Sequence, residues 1–61
     1  STPSETLRHT LDVSIASALA RLRDGEDVER VAFELGIAKG LCAAVGAAEH
    51  EEKAKAAGGE K

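Results

Sequence analysis

An all-α fold is predicted for this chain of 61 residues, and three observations predict it. Hydrophobic residues make up 43% of the sequence, but alanine carries much of that share and aromatics only 2%. Alanine loses no side-chain freedom in a helix, and the β-branched and aromatic residues that suit a pleated sheet are scarce. Apolar residues recur three and four apart, the spacing of one helix face. The two periodic stretches are bracketed by residues that start and stop helices, Thr2-Pro3-Ser4-Glu5 before the first and Asp24-Gly25-Glu26-Asp27 between them. Residues 1–57 are expected to form one helical domain, with 58–61 as a frayed tail.

The first helix is expected from about Pro3 to Asp24. Thr2 is its cap, proline takes the first helical position, and Glu5 completes a capping box. Leu7, Leu11, Ile15, Ala18, Leu19 and Leu22 give it an apolar face. Arg21 and Arg23 complement the negative end of the helix dipole, and Gly25 supplies the left-handed residue that ends it. Asp27 caps a second helix, with Glu29 in its first turn.

From Asp27 to Val45 the chain resembles the helix-turn-helix of resolvases, transposases and transcriptional regulators. Ala32 stands where two helices would cross closely, Gly36 where the turn needs positive φ, and Ile37 where an apolar residue would plug the gap beneath it. Val31, Leu35, Cys42 and Val45 fall at the motif's buried positions. The resemblance implies a three-helix unit with a long third helix reaching Ala57, working as a DNA-binding homodimer in transcription regulation. Arg21, Arg23, Arg30 and Lys39 would then contact phosphates, and Ala43 would lie on the reading face. Three departures shape this reading. Ala38 replaces the serine or threonine that caps a recognition helix. Ala38, Gly40, Ala43 and Ala44 offer base edges no hydrogen bonds. The net charge is −3, whereas DNA affinity rests on cationic side chains.

A second reading treats Val28 to about Ala57 as one helix. Val28, Val31, Leu35, Ala38, Cys42 and Val45 keep a heptad rhythm, and Phe33, Ile37, Leu41, Ala44 and Ala48 form a stripe beside it. Two stripes call for two partners: one against the first helix and one against another subunit, giving an antiparallel hairpin that dimerises into a four-helix bundle. In this reading the chain is an acidic protein-interaction module that binds and inhibits a partner such as a transcription factor through Phe33, Ile37, Leu41 and Ala44, without DNA. Gly36, Gly40 and Gly46 count against a continuous helix, at about 1 kcal/mol each relative to alanine.

The remaining residues add no chemistry. Cys42 is expected to be a small buried hydrophobe, since a single cysteine forms no internal disulfide. His9 and His50 have no partner at metal-ligand spacing and are expected on the surface. Glu49 with Lys53 and Glu51 with Lys55 are expected as pairs four apart. No nucleophile-base arrangement, phosphate loop, cofactor motif or small-molecule site is evident, so no enzymatic activity is expected. No uninterrupted apolar run approaches the ~18 residues of a membrane span and no charged-then-apolar leader opens the chain, which leads to the expectation of a soluble, cytoplasmic protein without a membrane partner. A core this small needs a staple, and self-association is the one left.

Overall fold

The computed structural model of this protein describes residues 1–58, which form two helices, α1 (Pro3–Arg23) and α2 (Val28–Gly58), and no strand. They run antiparallel: the start of α1 touches the end of α2 through Ser4 and Glu52, and the end of α1 touches the start of α2 through Arg21 and Glu34. The Cα trace measures 53 × 18 × 9 Å, a slab two helices wide and one thick.

α1 begins and ends, and α2 begins, as the sequence dictates. The Thr2 hydroxyl accepts from the Glu5 amide at 3.3 Å while the Glu5 carboxylate accepts from the Thr2 amide at 3.1 Å, so the capping box is complete. At the other end Gly25 has φ +82, its amide donates to the Leu22 carbonyl, and the Glu26 amide donates to the Arg21 carbonyl. These two bonds make a Schellman closure, which frees the chain to reverse within four residues. Asp27 caps α2, its carboxylate accepting from the Glu29 amide at 3.0 Å. Gly58 still belongs to α2, and the rest of the expected frayed tail, 59–61, lies outside the described residues.

The expected turn at Gly36 does not form. Gly36 is inside α2, and Gly25 has the only positive φ among the described residues. The physical reason is the seam between the helices. Val31, Ala38 and Val45 are buried at seven-residue intervals on one line of α2, and they face Ser4, Leu11 and Ala18, buried at the same interval on α1. A bend at Gly36 would take Val31 off that line. The fold is thus a two-helix hairpin instead of a short helix, turn and third helix.

The seam itself differs in phase from the expected one. Between the buried residues lie half-buried Leu7, Ser14 and Arg21 on α1, and Glu34, Leu41 and Ala48 on α2, followed by Glu52. This is a 3-4 repeat, two helices in coiled-coil contact. Its apolar centre is Leu11, Ala38 and Val45 with Leu7 and Leu41 packed against them. Leu35 and Cys42, expected in the seam, are exposed, as are Ile15, Leu19 and Leu22. Serine, arginine and glutamate occupy the seam positions that a purely apolar reading gives to their neighbours.

Candidate interaction surfaces

Polar clamps hold each end of the seam and fix its register. At the open end the Glu52 carboxylate accepts from the Ser4 hydroxyl at 2.7 Å and from the Ser4 amide at 3.0 Å. An anion thus sits on the amino-terminal turn of α1, where unpaired amides and the helix dipole favour it. At the closed end Arg21 donates to Glu26 at 3.0 Å and also pairs with Glu34 across the seam. The hydrogen bond to Glu34, then that to Glu26, holds the Arg21 guanidinium above its ordinary pKa. Arg8 pairs with Glu49 at 2.6 Å on the surface, and that hydrogen bond likewise raises the Arg8 pKa. Glu49 therefore pairs across the hairpin, and neither expected pair four residues apart, Glu49 with Lys53 or Glu51 with Lys55, forms among the described residues.

On either side of the seam lies a broad flank, made of the residues one before or one after each seam position. One flank carries charge: Arg8, Asp12, Lys39, Glu49 and Lys53 lie on it. It also carries an apolar patch toward the closed end, made of Ile15, Leu19 and Leu22 of α1 with Val28 and Leu35 of α2, all exposed. The Arg8–Glu49 pair shows that these stripes of the two helices meet on one side.

The opposite flank is nearly neutral. α1 contributes Thr6, Thr10, Val13, Ser17 and Ala20, with no charge, and α2 contributes Phe33, Ile37, Gly40, Ala44 and Ala47 between Arg30 and Glu51. Val13, Ser17, Arg30, Phe33 and Ile37 line one open groove of about 510 Å³, which places both helices' stripes on this side. Phe33 is 72% exposed and Ile37 51%.

The residues anticipated as phosphate contacts are dispersed over the hairpin. Arg21 is in the seam and engaged by two carboxylates, Arg30 is on the neutral flank, and Lys39 is on the charged flank. Arg23 and Ala43 lie on the outer ridges of α1 and α2. Of the anticipated interface residues, Phe33, Ile37 and half-buried Ala44 share the neutral flank, whereas Leu41 belongs to the seam. The sequence reading missed Val13, which faces Phe33 from the other helix, and the patch around Leu19. The signal for both is position relative to the seam, which depends on placing Ser14 and Glu34 inside it.

Cys42 is exposed, a correction that comes from the same change of phase. Among the described residues no cluster of histidine, cysteine and acidic side chains is arranged for a metal. α2 is long and apolar enough, by length and composition, to cross a membrane: an 18-residue window has mean hydropathy 1.6, and only 17% of that window is buried. Counting uninterrupted apolar runs missed this, because single charges in the helix barely lower the average. Compared with family models, curated proteins and solved structures, the chain matches none.

Proposed function

We propose that this hairpin is a protein-interaction module, which regulates by covering its exposed apolar flanks with other polypeptide and so modulates, most simply inhibits, what it binds. One observation carries the reading. Most of the chain's large apolar side chains, Val13, Ile15, Leu19, Leu22, Val28, Phe33, Leu35 and Ile37, are on the outside, while the seam buries alanine, valine, a single leucine at position 11 and Ser4, with Ser14, Arg21, Glu34 and Glu52 half-buried in it. Exposed apolar patches of this kind, one on each flank, mark interaction sites. The charge of −3 and the scatter of Arg21, Arg23, Arg30 and Lys39 give duplex DNA no cationic face to meet.

Protein covers such flanks better than lipid does here. α2 is tied from Val31 to Glu52 to α1, whose exposed surface includes Glu5, Arg8, Asp12 and Arg23, and burying those in a bilayer costs several kcal/mol. A photo-crosslinking residue at position 19 tests the reading in cells that make the protein. The expected result is a discrete protein adduct that Leu35→Lys abolishes without changing helical content. Adducts to lipid alone, or to nucleic acid alone, overturn it.

A further inference from the structure

The neutral flank has an internal symmetry that names its occupant. Along α2 its residues are Arg30, Phe33, Ile37, Gly40, Ala44, Ala47 and Glu51, stepping three and four apart so that all lie on one line. Cation and carboxylate stand at opposite ends, Arg30 against Glu51. Large side chains fill one half and small ones the other: Phe33 against Ala47, Ile37 against Ala44. Each of these pairs is centred on Gly40 to within half a residue. A line with this arrangement is complementary to itself when reversed. Turned end for end, its bulky half meets its own shallow half, and each end meets the opposite charge about 31 Å away along the helix.

We propose that a second copy of this chain seats on the neutral flank, antiparallel, with the twofold axis passing beside Gly40. The proposal rests on the reading that polypeptide covers the exposed flanks, and it assigns one of them. Phe33 and Ile37 of each copy pack over Ala47 and Ala44 of the other, and Arg30 of each faces Glu51 of the other. An isologous contact requires such self-complementarity, a residue and its counterpart exchanging places across the axis. Two features gain a reason. Neither Arg30 nor Glu51 has an ion-pair partner among the described residues. Gly40, like Gly36 and Gly46, has nothing within 4 Å of where a Cβ would be, so no neighbour among the described residues calls for glycine in mid-helix; at the axis, a missing side chain lets the two backbones approach. α1 favours the same contact, since its stripe on this side, Thr6 through Ala20, has no charge to bury. The product is a four-helix bundle whose charged flanks, with the patches around Leu19, face outward on both sides.

Charge reversal tests orientation and face together. Arg30→Glu places two acidic ends in apposition, and Glu51→Arg two basic ends; sedimentation equilibrium of the full chain is expected to show each single variant self-associating about tenfold more weakly than the parent. An equimolar mixture of the two variants restores association, because every cross-chain pair is then attractive. Phe33→Ala is expected to weaken the dimer about a hundredfold, and circular dichroism checks that the hairpin persists in every variant. A parent that stays monomeric and helical at all concentrations overturns the proposal, while the crosslink at position 19 separately reports whether another protein is bound. A dimer indifferent to both reversals and to Phe33→Ala also overturns it, by placing the contact on the charged flank. Phosphatidylcholine vesicles that capture the parent but not Phe33→Ala overturn both the proposal and the reading beneath it.

Discussion

Gly25 turns the backbone at φ +82, where its amide and that of Glu26 reach back to close α1. A side chain in that conformation is strained by ~1–2 kcal/mol, so Gly25→Ala is expected to lower the unfolding free energy by about that amount. Gly36 is the opposite case. It is helical, and open space surrounds the position a Cβ would take. Gly36→Ala therefore removes backbone freedom from the unfolded chain at no steric cost, and is expected to stabilise the hairpin by ~1 kcal/mol. Urea denaturation of the two variants beside the parent checks both signs. A loss at Gly36 would mean that the helix is not continuous there. Chain entropy and local geometry decide these outcomes, and neither depends on what the flanks bind.

Helices answer to their neighbours as well as to their own residues. Leu41 packs on the seam centre while Cys42, one residue on, faces solvent. Leu41→Ala should then cost ~2–3 kcal/mol and Cys42→Ala no more than about 0.5 kcal/mol, a contrast that urea midpoints resolve. Removing the open-end clamp with Glu52→Ala leaves buried Ser4 without its acceptor and is expected to cost ~1–3 kcal/mol. How far these elements were legible in the sequence depends on range. The caps at Thr2 and Asp27, the stop at Gly25 and the helical class are local, set by hydrogen bonds reaching five residues or fewer, and all were readable. The break or continuity of α2 at Gly36 was not, because glycine suits both a turn and an exposed helix position. The phase of the seam was not either. Hydrophobicity favours Leu35 over Glu34 and Ile15 over Ser14, but Arg21 and Glu34 neutralise each other across the seam, and that pairing exists only once the helices have met. The exposed apolar surface was half readable for the same reason: Phe33 and Ile37 are conspicuous in any phase, whereas Val13 and Leu19 fall on a flank only in the right one.

A slab one helix thick has two broad sides and little interior, so a second copy against one side would add to its stability. The core consists of Leu11, Ala18, Val31, Ala38 and Val45, a small apolar interior for a chain of this length. Pairing on the neutral flank would give Phe33, Ile37 and Val13 the burial they lack, each such side chain contributing about 1.5–3 kcal/mol on complete burial. Folding and association are then linked. For a dimer that unfolds to two separate chains, each tenfold rise in protein concentration adds about 1.4 kcal/mol to the free energy of unfolding per dimer. The thermal midpoint of the parent is accordingly expected to climb with concentration, with that of Phe33→Lys, which puts a charge in the contact, lower and nearly flat. Duplex DNA should leave both unchanged even at about 50 mM salt, where phosphate contacts are strong. A parent midpoint independent of concentration would show that the seam alone sustains the fold, and the exposed flanks would then have to be explained by binding to a different protein alone.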